Sequence, residues 1–455
     1  MTNKNLFLLV ATASLFAACS KNDNNGTTPP PAADSDTISV RGTISANTTW
    51  SKDKVYRLRG YVYVDAPATL TIEAGTQIIS NRDSAGVLVI YKGAKIMANG
   101  TKDAPIVFTS AHTDKQPGDL GGVVLIGKAT GNGNHAEVEG DVNAAHKAFG
   151  GNDDHDNSGV LKYVRIEYGG KATAPNDEIN GLSLYAVGDG TEIDYVQVIR
   201  GLDDAFEFFG GTVNAKHLIA YRCADDDFDF DDGYRGKIQY AISIKDPAFT
   251  DDKTKGDISN NFEVDNTNGT SKPYTATPIT HPILSNFTAV GPNNAANTSA
   301  SYGYGMRWRR GAQFEMANSI VVGGQLAGLD LDDDLTATYY KTGISKFENS
   351  FLHAVKEPFK IDKLVDAAVW TAADLKLMVE GANMSKLFTN PADIKLTDPF
   401  NIVAPNVKPQ AGSVALTTTG KFTGGLDHAF FDKTSFVGAM DATNDWTATW
   451  AKFGN

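Results

Sequence analysis

Two stretches of this chain carry one pattern written twice. Asp204-Ala205-Phe206-Glu207-Phe208-Phe209-Gly210-Gly211 and Asp226-Asp227-Phe228-Asp229-Phe230-Asp231-Asp232-Gly233 align residue for residue, so Asp204, Phe206, Phe208 and Gly211 recur 22 residues later, with Glu207 answered by Asp229. A fixed period stacks like residues on successive windings, at the ~4.8 Å spacing of neighbouring strands. Weaker echoes follow at Met306–Ala312, with the run Asn318–Val322 behind it, and at Gly328–Asp332. Apolar and charged side chains alternate in each, so one face fills a core and the other meets water. Propeller blades would need repeats of roughly 40 residues, and sandwich strands would not repeat in register. The expected fold is all-β: a right-handed parallel β-helix, or solenoid.

The rest of the body agrees. Short β-type runs such as Tyr61–Val64, Thr69–Ile72, Val87–Ile90, Ile106–Phe108, Val123–Ile126, Tyr163–Ile166 and Tyr195–Val198 end in Gly, Asp or Asn. Between them there is no room for the helices of a doubly wound sheet. With 41 basic and 54 acidic residues the formal charge is −13, which argues against nucleic acid as a partner. Of two cysteines, Cys223 sits in an apolar stretch and is expected to be a buried, inert thiol.

At the amino end, Lys4 precedes an apolar run from Leu6 to Phe16, too short to span a bilayer but suited to a secretory signal over residues 1–18. The run closes with Leu15-Phe16-Ala17-Ala18-Cys19, which resembles the lipobox of bacterial lipoproteins. That resemblance implies Cys19 as lipid anchor and membrane attachment without a transmembrane helix. Residues 19–37 are polar and Pro-rich and read as a flexible tether. The Lys21-Asn22-Asp23 run behind Cys19 is similar to the signal that sends some lipoproteins to the outer face of the outer membrane. A surface-exposed, lipid-anchored monomer is the expectation, with a periplasm-facing one as the alternative.

The segments Gly93–Ser110, Gly118–Val123 and Asp203–Gly211 resemble the recurring turn of bacterial extracellular right-handed β-helix proteins of the pectate-lyase-like superfamily. The likeness runs over roughly residues 60–330, plus the tail around Asp445-Trp446-Thr447. It implies fold and export; it carries over no catalytic residues, the nearest such proteins being uncharacterised lipoproteins. The solenoid is placed at 38–350. After that the character changes: Thr371-Ala372-Ala373-Asp374 starts one helix, and an aromatic tail runs from Phe430 to Phe453. Residues 351–455 are expected to form a small mixed cap over the open end of the solenoid, with a separate carbohydrate-binding module as the alternative.

Chemistry concentrates in acids. With Phe228 and Phe230 inward, Asp227, Asp229 and Asp231 should project outward over Ala205, Glu207 and Phe209. Two carboxylates ~4.8 Å apart repel by about 1 kcal/mol in water and about 3.5 kcal/mol at an effective dielectric of 20. Ca²⁺, held by Glu207, Asp227, Asp229 and Asp231, would balance them, as would Arg307, Arg309 and Arg310; a solvated acidic face is the plain alternative. A second loop, Asp154-x-Asp156-x-Ser158, has the alternate-oxygen spacing of half a calcium loop, but Arg165 stands where an EF-hand needs Glu. Asp330, Asp332, Asp333 and Asp334 form a third patch. No nucleophile elbow, phosphate loop or His-Glu-x-x-His spacing occurs.

Two functions remain open. One is a surface lipoprotein whose rigid rod presents an acidic, Ca²⁺-binding face to a glycan or partner protein. The other is a lyase or hydrolase of extracellular acidic polysaccharide, with Ca²⁺ neutralising a uronate and Arg307 or Arg309 as base.

Overall fold

The computed structural model describes residues 36–174, 177–251, 258–364 and 370–454. Cys19, the signal peptide and most of the tether lie outside the described residues. No helix among the described residues is long and apolar enough to cross a membrane.

Parallel ladders run from Thr37–Ile44 to Lys386–Leu387. Each winding contributes to three strand stacks, the architecture of a right-handed parallel β-helix. In the first stack Phe206 pairs with Phe228, Glu207 with Asp229 and Phe208 with Phe230, as the 22-residue period requires. The Phe206 and Phe228 rings lie 5.3 Å apart and 7° from parallel. Phe262 and Met306 continue that inward column. They escape the strict period because insertions between the rungs lengthen the windings without disturbing register.

Phe228 is fully enclosed and packs at 5.3–5.4 Å on Phe206, Phe262 and Phe287. Truncating it opens a cavity that rigid neighbouring rungs cannot close. Phe228→Ala is expected to cost about 3–5 kcal/mol, read as a lowered urea midpoint, and Phe228→Leu clearly less.

The second and third stacks are formed by long strands bent in the middle, such as Glu192–Ile199, Asn214–Tyr221 and Lys237–Ile244. The bend falls on one residue per winding in the left-handed region: Tyr163, Tyr195, His217, Tyr240, Asn286, Asn318 and Asn349, with φ between 47° and 63°. Asn tolerates that conformation through its short side chain. The rings do so by stacking: Tyr163 on Tyr195 at 4.4 Å, Tyr195 on His217 at 4.1 Å and His217 on Tyr240 at 5.0 Å.

Two expectations about the carboxyl end change. The ladders do not stop at 350; Phe351–Ala354, Glu357–Ile361 and Lys386–Leu387 add further rungs. The helix Ala372–Glu380, started by a Thr371–Asp374 capping box, does close the core, burying Leu375 and Val379 beside Trp370. The tail beyond it is not an end cover. It runs back along the flank, where Ile394, Leu396, Val407, Val437, Trp446 and Trp450 pack on the outward apolar face of the third stack. That face, Ile199, Ile219, Ile242, Ile244, Val290, Ile320, Val322 and Phe351, is a contiguous apolar surface whose burial favours covering it. Side chains of the bent corner tie the tail's backbone down. Asn349 donates to Thr419 O at 3.0 Å, Asn318 to Lys421 O at 2.9 Å, Asn286 to Gly438 O at 3.1 Å and Arg165 to Trp450 O at 2.8 Å.

Candidate functional site

The outward column of the first stack changes character along the rod. Tyr63, Val89 and Val124 begin it, and Val138 and Val142 from the 127–158 excursion cover them. Ser183 follows, then three acids in register, Glu207, Asp229 and Glu263, and finally Arg307, Asp330 and Lys360. Parallel register therefore turns a sequence alternation into a carboxylate row.

Asp204, Glu207 and Asp229 each place an oxygen within 4.8 Å of the other two, and Asp226, Asp229 and Glu263 form a second such group sharing Asp229. The surroundings satisfy the acids unequally. Asp204 Oδ1 accepts the Asp226 amide at 2.8 Å, Glu207 accepts from the Asn180 side chain, and Glu263 is gripped by Arg309. Asp229 Oδ1 is enclosed with no hydrogen-bond partner. Burial, then the neighbouring carboxylates, push Asp204, Glu207 and Asp229 well above the ordinary carboxylate range. Full ionisation of the trio is disfavoured by burial and mutual repulsion, and either protons or a cation would relieve it.

Of the expected ligands, the structure brings Glu207 and Asp229 together and moves Asp227 away. Asp227 was placed outward by strict alternation, but it precedes the strand Phe228–Asp231 and is buried. It pairs with Lys245 at 3.1 Å and accepts a bond from Ser243. Its one carboxylate is thus already balanced. Asp231 stands over Phe209, as expected, but faces His135. His135 donates to Asp232 at 3.0 Å and lies 3.8 Å from Glu139. Burial opposes its charge, yet the Asp232 bond and surrounding carboxylates hold His135 up to about 10, while burial pushes Asp231 and Glu139 to about 7.

Arg307 and Arg309 are committed to ion pairs. Arg307 reaches Asp332 at 2.9 Å and Glu263 at 3.5 Å; Arg309 holds Asp265 at 2.7 Å as well as Glu263. Neither guanidinium can release a proton as a base near neutral pH. Trp308 points inward, stacked 3.7 Å from Phe314. The second loop also finds another role. Asp154 accepts the Thr130 amide at 2.8 Å and pairs with Arg235 at 3.0 Å, and Asp156 accepts the Lys128 amide at 3.0 Å. Ser158 is buried, its amide bonded to Thr191. The two amide bonds close the excursion on itself, and the Arg235 pair and the Thr191 bond pin it to the rod. Cys223 is buried, which pushes its thiol up to about 12 and leaves it inert.

Three members of the site were not anticipated as ligands, Asp204, Asp226 and Glu263. Glu263 had a signal, since Phe262-Glu263-Val264-Asp265 repeats the aromatic-acid alternation of the two matched stretches. His135 had none, because 97 residues separate it from Asp232.

Residues 42–389 match the family model described as a pectate-lyase like beta helix domain. The chain belongs to this family. No curated protein and no solved structure matches. The family match begins within the first strand and ends just past Lys386–Leu387, so the pectate-lyase-like body coincides with the parallel ladders and the flanking tail lies beyond it.

Proposed function

We propose that this pectate-lyase-like protein is a lipid-anchored binding protein of the outer-membrane surface, attached through Cys19, whose acidic face holds Ca²⁺ and presents it to an extracellular glycan or a surface protein. The single observation that carries the cation is the Asp229 carboxylate, which lies within reach of Asp204 and Glu207 and whose enclosed Oδ1 has no hydrogen-bond partner. An all-oxygen set of buried carboxylates selects a hard cation over zinc or copper. A bound Ca²⁺ replaces repulsion with attraction and leaves open positions for ligand oxygens, the chemistry by which carboxylate-bearing or hydroxyl-rich sugars are held. The family membership supports a polysaccharide-related or surface role in general terms.

Calorimetric titration of chelator-stripped protein with Ca²⁺ tests this. Heat and a rise in melting temperature are expected, with Asp229→Asn weakening binding at least tenfold; no heat and no thermal shift would overturn the cation reading. The enzymatic alternative draws on Arg307 and Arg309 standing beside the acids, but their ion pairs weigh against it. Incubation with polyuronates, following the absorbance of unsaturated products, separates the two, and clear turnover would favour a lyase.

A further inference from the structure

The outward column carries a second group of acids beyond the arginines. We propose that Asp330, Asp332 and Asp362 form a separate site for a hard divalent cation, Ca²⁺ in the first instance. Asp330 lies on the strand Ala327–Leu331, Asp332 just after it, and Asp362 directly after Glu357–Ile361 on the next rung. One oxygen from each lies within 4.8 Å of the other two. That span is what a Ca²⁺ ion covers when it contacts oxygens at about 2.3–2.6 Å on either side.

The argument for a ligand rests on oxygens the protein leaves unsatisfied. Asp330 has no solvent exposure, and neither of its carboxylate oxygens has a hydrogen-bond partner. Asp332, 2% exposed, has the same deficit at Oδ1. Buried polar atoms in native proteins are nearly always paired, so three unsatisfied oxygens on two residues of one cluster call for an occupant. Neighbouring cations pair with two of the three acids but donate no hydrogen bond to Asp330: Arg307 Nη2 and Lys363 Nζ both go to Asp332 Oδ2, at 2.9 and 2.8 Å, and Lys360 goes to Asp362 and to the Tyr304 hydroxyl. Arg307 Nε stands 3.6 Å from Asp330 Oδ2, a charge contact longer than a hydrogen bond. The donor set holds only oxygens, which again selects a hard ion. The site shares no residue with Asp204, Glu207 and Asp229, so either can exist without the other.

Equilibrium dialysis of the intact, chelator-stripped chain against Ca²⁺ counts the sites. Wild-type protein is expected to bind one equivalent more than Asp330→Asn, and Asp229→Asn is expected to keep that equivalent. Asp362 is more exposed than its partners, so Asp362→Asn tests the site without threatening the fold; a tenfold or greater loss of affinity for one equivalent is expected. Equal counts and affinities in wild type, Asp330→Asn and Asp362→Asn would overturn the proposal. So would a more stable Asp330→Asn with an unchanged count, which would show a proton on Asp330 in place of an ion. If Asp229→Asn abolished all binding, this site would fall and the first would stand; if Asp330→Asn did so, the reverse.

Discussion

A chain ending at Phe388 is expected to precipitate under conditions that keep the full-length protein in solution, and to lose cooperative unfolding. The tail covers eight large apolar side chains of the third stack, from Ile199 to Phe351. At about 1.5–3 kcal/mol for each side chain buried, their exposure costs on the order of 10–20 kcal/mol, as much as the whole net stability of a typical domain. The face is also contiguous, and a contiguous apolar patch on parallel strands promotes association. Trp450→Ala probes the same contact without truncation. Trp450 is fully buried, edge-on to Tyr163 and Tyr195 at 5.8 Å, and donates to Trp446 O at 2.7 Å. A loss of about 3–5 kcal/mol by urea unfolding is expected. Unchanged midpoints in both variants would mean the tail is an appendage and the apolar face tolerates water.

Held in chelator, the protein is expected to lose stability steadily as pH rises from about 4 to 8, and Ca²⁺ should restore it at the upper end. Burial first, and carboxylate neighbours second, raise Asp204, Glu207 and Asp229 well above their ordinary range, while burial, opposed by neighbouring cations, sets Asp231, Glu139 and Asp330 near 7. A carboxyl group with a raised native pKa binds more protons folded than unfolded, so its contribution favours folding at low pH and is lost as pH climbs through that interval. His135, raised to about 10, acts in the same direction: its contribution is complete below its unfolded value and declines above it. His281 and His353, lowered by burial, oppose this weakly below about pH 6.5. Asp154 and Asp119, held below their ordinary values by backbone amides, hydroxyls and arginines against their own burial, matter only below about pH 4. The net loss is expected to reach several kcal/mol. A flat profile in chelator, or one that Ca²⁺ leaves unmoved, would mean the acids are balanced from within.

Local alternation and a 22-residue period determined the winding, the Phe206–Phe228 stack and the Glu207–Asp229 neighbours, because both are properties of adjacent strands in register. Family resemblance was legible for the same reason: it rests on contiguous strings. Asp227 was misplaced because alternation holds inside a strand, and this residue precedes one, where Lys245 could draw its carboxylate away. His135, and the place of Asp362 beside Asp330 and Asp332, became visible only in three dimensions, since insertions of variable length decide which distant segment lies over which rung. The route of the tail was likewise a tertiary choice. An open solenoid end and a long apolar flank both need covering, and only packing reveals that the helix Ala372–Glu380 serves the end while the tail takes the flank, held by its apolar side chains and its corner of amide side chains.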